Sequence, residues 1–309
     1  MPIIFQGGVL LKSVEFSFDE VYQYDLDLVN NKLDQFLSQH GDQTSVVSQA
    51  MKYSIFNGGK RLRPILALEF CRACGKKPEK ALPYACALEF IHSTSLIQDD
   101  LPTMDNAPQR RGRPSCHVQF GESVAILASD ALSVMAFEII ISEATINKFA
   151  ALKAAQALVS AVGINGLVGG QTLDIINENN PVDITSLKKI YIMKTETLFD
   201  AAAEMGCIAA GANKKKISAA KKYAENIGLA FQIVDDILDV TSTPAMLGKL
   251  TMGDVERKKT TFPSLIGLDE SRKLVTELTR NAVDALAPFK KNKVQFLTEF
   301  AQRLEARQY

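Results

Sequence analysis

Apolar residues recur at three- and four-residue spacing along most of the chain. The runs are 20–40, 44–57, 62–74, 79–98, 122–142, 149–163, 186–210, 215–239, 270–287 and 293–307. That period marks helices with one buried face. Alternating segments bounded by turn pairs, which would announce strands, are absent. Breakers separate the runs: Gly58-Gly59, Gly75, the stretch from Pro102 to Pro114, Gly211, Pro244 and Pro263. Asn179-Asn180-Pro181 with Asp183 sets a polar cap just ahead of the run at 186. No internal repeat or Pro/Ser-rich linker divides the chain. The pattern predicts an all-α protein, a single domain of long helices over 1–309, with 1–19 as an irregular N-terminal extension. Runs 79–98, 122–142 and 215–239 are apolar around much of their circumference. Such helices lie deep in a large bundle or at a subunit interface.

Composition narrows the function. Apolar residues make up 47%, and 35 Lys+Arg balance 35 Asp+Glu. That apolar fraction with zero net charge excludes a disordered chain. The chain has no global basic field, so neither nucleic acid nor an anionic membrane is expected as a partner. Five cysteines, an odd number, do not form a disulfide framework. Cys71 and Cys74 make a lone CxxC, read as two small buried side chains one helical turn apart rather than half a zinc site. The N-terminus lacks a basic segment followed by a clean apolar stretch, and no uninterrupted apolar run reaches the ~20 residues that span a bilayer. A cytoplasmic protein without stable membrane insertion is expected.

Charge breaks into the apolar helices at two places. The first is QDDLPTMD, with Asp99, Asp100 and Asp105; the second is FQIVDDILD, with Asp235, Asp236 and Asp239. Positions 235 and 239 are four apart and share one helix face. Burying such like charges is costly unless a cation compensates. Carboxylates with few nitrogen or sulfur partners suit a hard cation, and Mg²⁺ binds diphosphate oxygens while keeping part of its water. Pro102 interrupts the first helix, which would let Asp105 fold back beside Asp99. Each cluster alone also reads as a solvated helix end. Two of them, each after an apolar helix, suggest two walls of one cavity.

A diphosphate also needs positive charge. Gly58-Gly59-Lys60-Arg61-Leu62-Arg63-Pro64 offers free backbone and three cations, without the GxxxxGK[ST] spacing of a Walker A loop. Arg110, Arg111 and Arg113 follow the first acid cluster, and arginine presents a planar fork to phosphate oxygens. Lys194-Thr195, Gln232, Lys249 and Lys259 lie farther on, and each alone reads more often as an exposed surface residue than as a ligand. Lys214-Lys215-Lys216, after Gly211, reads as a solvated loop. His92, seven residues before Asp99, reads equally as a packed core histidine or a phosphate donor.

With these motifs in hand, the chain resembles the all-trans isoprenyl diphosphate synthases of the farnesyl and geranylgeranyl type over roughly residues 20–305. GGKRLRP (58–64), DDLPTMD (99–105), RRG (110–112), CHVQFGE (116–122), GGQTLD (169–174), KT (194–195), FQIVDDILD (231–239) and GK (248–249) stand in the family's order. The resemblance implies one large helical bundle around a central hydrophobic cavity, and a homodimer. It implies that Gly59, Lys60, Arg63, His92 and Arg111 hold isopentenyl diphosphate. Asp99, Asp100, Asp105, Asp235 and Asp239 would hold Mg²⁺, with Mn²⁺ as a substitute, on the allylic diphosphate. Arg110, Lys194, Lys249 and Lys259 would touch that diphosphate, with Thr195 and Gln232 beside the reacting carbons. Asn106 and Gln98 depart from residues common in relatives, Asp and His, without removing an acid assigned to metal.

The resemblance also places the growing chain beside the helix before Asp99. Thr94, five residues upstream, sits roughly 7.5 Å lower at 1.5 Å per residue. Thr94 and Ser95 are small and leave the pocket deep, which favours a twenty-carbon product. A floor from Phe120 or Met135 would favour fifteen. Two rivals stand beside a synthase. One is a terpene cyclase of the same fold, whose second metal motif usually differs from DDILD. The other is a non-catalytic partner subunit of a prenyl synthase.

Overall fold

Helix α4 (Leu82–Asp99) forms the centre of the bundle, packed against α1 (Phe18–Gln39), α2 (Val46–Ile55), α3 (Leu62–Ala73), α6 (Glu122–Ser142) and α10 (Thr197–Ala209). In this computed structural model, residues 16–178, 180–241 and 260–307 are described. Every α4 side chain from Leu82 to Ile91 is buried, as a helix apolar on all sides requires. Around it follow the short α5 (Cys116–Phe120), α7 (Ala144–Val162), α8 (Leu167–Ile176), α9 (Ile184–Tyr191) and α11 (Lys214–Thr241). The chain closes with α12 (Phe262–Ile266), α13 (Leu268–Ala285) and α14 (Gln295–Ala306). α10 joins α3 and α4 to α11, and α11 carries α13 on its other side. All-α architecture is thus observed, apart from a two-stranded ribbon, Gln109–Arg110 with Arg113–Pro114.

Several starts and stops follow from capping. Asp183 accepts the Ser186 N–H at 2.8 Å, so the polar cap ahead of 186 is in place. Ser17 caps α1, which begins at Phe18, inside the stretch expected to be irregular. Lys214, Lys215 and Lys216 are not a loop. They form the first turn of α11, because Asn213 caps it through the Lys216 N–H at 3.0 Å. The first two remain exposed, as expected. The single run at 186–210 is one continuous helical path with a π turn, Ile192–Glu196, set between α9 and α10.

The cysteines are all free, and Cys71 is fully buried, its thiol donating to the Lys77 carbonyl at 3.3 Å. Among the described residues no three His, Cys, Asp or Glu form a metal cluster. Two stretches, Glu122–Ser142 and Ala144–Ile176, are long and apolar enough to cross a membrane by length and composition alone. The inner face of α6 packs on α4, while Leu127, Val134 and Ile141 line its outer face at seven-residue spacing.

Candidate active site

The first acid cluster sits where α4 ends. Pro102 supplies no N–H, and the chain turns back through a set of bonds that includes the Asp105 N–H donating to the Asp99 carbonyl at 2.9 Å. This return brings Asp105 beside Asp99 as expected. Burial pushes the Asp99 carboxyl up, and nearby Asp105 and Asp100 add to it against Lys194 and Arg110. Asp100 is buried, and both of its oxygens accept from Arg110 at 2.7 Å. The residues expected on metal and on diphosphate therefore form one ion pair here. Burial works against the Arg110 charge, but Asp100, Asp99 and Asp105 hold its pKa above the usual value.

The basic loop lies opposite. A cavity of about 640 Å³ is lined by Gly59, Lys60, Arg63, His92, Arg111 and Phe231 among others. Tyr22 donates to the Lys60 carbonyl at 2.8 Å, and Asn57 donates to the Arg110 carbonyl at 3.1 Å, fixing loop and ribbon together. Gly59 has φ +126°, a backbone conformation that favours glycine, and the Arg111 guanidinium packs against it, 2.7 Å from where a Cβ would stand. Burial lowers the Lys60 pKa, and Arg307 lowers it further against Asp235. Arg63 lies 4.5 Å from the centre of the Phe199 ring, and burial pushes its pKa down to about 10. His92 is pushed well below its ordinary range by burial and by Arg63, Arg111, Arg110 and Arg61, so its ring is neutral at neutral pH. A neutral imidazole still donates one N–H. Arg61 does not join the cavity's cations as a free charge. It is buried against Glu89 at 2.6 Å.

A second cavity of about 370 Å³ adjoins the first, and Arg63 and His92 line both. Its walls include Thr94, Ser95, Asp99, Met104, Leu167, Lys194 and Thr195. Thr94 donates to the Ser129 carbonyl at 3.0 Å and accepts from Ser133 at 3.3 Å. Phe120 and Met135 do not border this cavity. Phe120 packs edge-on against Tyr53, and Met135 is buried in the core.

The π turn presents Lys194 and Thr195. One extra residue per turn is costly and concentrates at functional sites. Gly170 allows it, since a Cβ there would stand 2.3 Å from the Lys194 backbone nitrogen. Lys194 Nζ lies 2.7 Å from Asp174, and Thr195 donates to Gln232 at 3.1 Å. On α11, Asp239 is buried with Oδ2 lacking a hydrogen-bond partner, and Asp235 acts electrostatically on Lys60 and Arg63. Lys249 and Lys259 lie outside the described residues.

These residues fit a hard divalent cation. The donors are all carboxylate oxygens, one is buried and unsatisfied, and Asp99 resists ionising without a cation. Asp99, Asp105, Asp235 and Asp239 would hold the ion.

Sequence reasoning gave no role to four participants. Asp174 belongs to the GGQTLD segment, whose acid carried a signal of its own. Tyr191 and Asp236 hydrogen-bond each other, and Arg307 stands 6.0 Å from the Phe231 ring centre. For Arg307 no local pattern exists, because α14 delivers it from the far end of the chain.

Residues 44–297 match the polyprenyl synthetase family. The chain belongs to that family, the all-trans isoprenyl diphosphate synthases, a family of prenyltransferases. It is 41% identical over 288 residues to the chloroplastic heterodimeric geranylgeranyl pyrophosphate synthase large subunit 1 of Arabidopsis thaliana, covering 91% of this chain and 77% of that one. It is 42% identical over 266 residues to the chloroplastic geranylgeranyl pyrophosphate synthase 11 of the same plant, covering 84% and 74%. The fold is similar to a geranyltransferase from Legionella pneumophila (TM-score 0.84, 32% identity, 94% and 97% covered). It is also similar to an FPP/GFPP synthase from Zymomonas mobilis (TM-score 0.80, 34% identity, 93% and 97% covered).

Proposed function

We propose that this protein condenses isopentenyl diphosphate head-to-tail with dimethylallyl, geranyl and farnesyl diphosphates, releasing diphosphate and ending at geranylgeranyl diphosphate. One observation carries the reading. A cation-lined cavity meets, at Arg63 and His92, a second cavity whose walls are largely apolar and carry Asp99 and Lys194. Lys60, Arg63, Arg111 and neutral His92 bind one diphosphate in the first cavity. Arg110, Lys194, Lys249 and Lys259 grip the second. Bound Mg²⁺ would draw charge from the allylic oxygen as the C–O bond breaks. The lysines and Arg110 stabilise charge developing on the leaving diphosphate. Thr195 and Gln232 border the cation, and the apolar walls keep water from it. The isopentenyl double bond attacks that cation, and the proton lost afterwards goes to the departing diphosphate. No protein base is required.

Thr94 and Ser95 leave the second cavity deep and support twenty carbons over fifteen. The outward stripe of Leu127, Val134 and Ile141, with exposed Phe149 and Leu152 on α7, supports a homodimer in which a second copy covers α6 and α7. Neutral net charge suits an aqueous compartment, the cytoplasm in this reading.

The test is diphosphate release and product mass with dimethylallyl and isopentenyl diphosphates, with and without Mg²⁺. Mg²⁺-dependent release requiring both substrates, with a twenty-carbon product, supports the reading. Farnesyl diphosphate as sole product overturns the chain length. Release from one longer allylic substrate alone indicates a cyclase, and no release indicates a non-catalytic subunit.

A further inference from the structure

Glu89 lines the first cavity, yet it is an acid among cations and has no role in the mechanism above. It is buried on α4, one turn before His92. Its Oε1 accepts from Arg61 Nη1 at 2.6 Å, and each of the two side chains is only 3% exposed. A buried charge needs such a partner. The other guanidinium nitrogens of Arg61 are used as well. Nε donates to Asn30 Oδ1 on α1 at 3.1 Å, and Nη2 donates to the carbonyl of Ile55, the residue that ends α2. A last-turn carbonyl has no acceptor role within its own helix, and Arg61 gives it one. A single side chain thus joins α1, α2 and α4.

Arg61 is also the residue from which α3 starts, and its carbonyl accepts the Ile65 N–H at 3.0 Å. Its backbone is left-handed, with φ 49° and ψ 34°. Side chains other than glycine rarely adopt that region and keep it only where the surroundings over-determine it. The grip of three helices on the guanidinium is such a surrounding. Lys60 directly precedes this turn and Arg63 follows Leu62 after it, and both line the cavity. The Glu89 charge also favours the charged forms of Arg63 and Arg111 across the same cavity.

We infer that Glu89 and Arg61 are positioning residues: their buried ion pair fixes the left-handed turn from which Lys60 and Arg63 reach into the first cavity. The inference rests on the proposed reaction only in taking the cavity's ligand to be isopentenyl diphosphate. The anchor itself stands on geometry. Arg61 thereby differs in kind from the cations on either side of it. All three kinds of nitrogen in its guanidinium donate to protein acceptors, so it acts on a diphosphate through its neighbours.

The test separates position from stability, on the full chain. Glu89→Gln leaves the Arg61 charge buried without a countercharge and should lower the urea midpoint. Combining it with Arg61→Met removes both charges, so the double variant should recover most of that midpoint. Its dissociation constant for isopentenyl diphosphate, measured by calorimetry without Mg²⁺, should still stand about tenfold above wild type, because the turn has lost its anchor. A double variant that binds within about twofold of wild type would make the pair purely structural and overturn the inference. Glu89→Asp keeps the charge at a shorter reach and decides the matter if the double variant does not fold: a rise of about threefold is expected, and unchanged binding sinks the anchor. In steady-state kinetics the double variant should raise KM for isopentenyl diphosphate about tenfold and KM for the allylic diphosphate less than about threefold. Equal rises in both would show a general loosening of the bundle and contradict the assignment. A wild-type chain that binds isopentenyl diphosphate but releases no diphosphate would remove the proposed reaction alone, and the titration would still decide the anchor.

Discussion

Arg110 grips Asp100 with two hydrogen bonds of 2.7 Å, and the pair ties the ribbon after the first acid cluster back to the end of α4. Asp100 is nearly inaccessible, with a side chain 3% exposed, and that guanidinium is the countercharge paired with it. Arg110→Met should destabilise the protein by about 2–4 kcal/mol in urea unfolding, by leaving a buried carboxylate unpaired. Asp100→Asn in the same chain should recover more than half of the loss. Equal losses in single and double variants would show that the pair is not what the single variant breaks.

Lys194 is held by Asp174 at 2.7 Å and presented by the π turn. Lys194→Ala should lower kcat by about 10²–10³, the scale for removing one preorganised donor to developing charge. Asp174→Asn should cost less, since the lysine remains but loses its orientation. A single-turnover assay separates this chemical step from product release.

Thr94→Tyr should put a ring into the 370 Å³ cavity and shift the product from twenty carbons to fifteen. Chromatography of the products from labelled isopentenyl diphosphate reads this directly. An unchanged product would place the floor on another wall of the cavity.

Stability should fall as pH rises through neutrality. Burial raises the Glu196 carboxyl to about 8, with Asp200 and Glu225 adding to it, and raises Asp200 to about 7. Both carboxyls therefore hold a proton in the folded chain where the unfolded chain has released it. Their stabilising effect is complete below about pH 4, and is lost progressively up to about pH 8. Glu196→Gln should flatten that decline, so its melting temperature should exceed wild type at pH 8 and approach it at pH 5. Parallel pH profiles for the two proteins would contradict this.

The helices were legible because their burial is periodic, and the runs at 62–74, 79–98 and 122–142 match α3, α4 and α6 closely. The return of Asp105 to Asp99 was legible because proline cannot continue a helix. Other features depend on partners distant in sequence. α8 falls between the apolar runs at 149–163 and 186–210, and its Gly169 and Gly170 make sense only once Met193 and Lys194 pack where their side chains would be. The Lys214 start was misread because three like charges resemble a solvated loop, while Asn213 supplies the cap. The ion pair of Asp100 with Arg110 leaves no periodic trace. Lys249 and Lys259 fall outside the described residues, so their expected roles rest on the family likeness alone.

The π turn at Ile192–Glu196 acts as a phase shifter in an otherwise unbroken helical rod. Each inserted residue advances the screw by about 100°. The turn before it can therefore aim Tyr191 at Asp236 while the turns after it keep Leu198 and Phe199 in the core. Deleting one residue there would keep the rod and its length within about 1.5 Å, yet rotate one half against the other. The two halves could then satisfy the Tyr191–Asp236 hydrogen bond or the core, but not both at once.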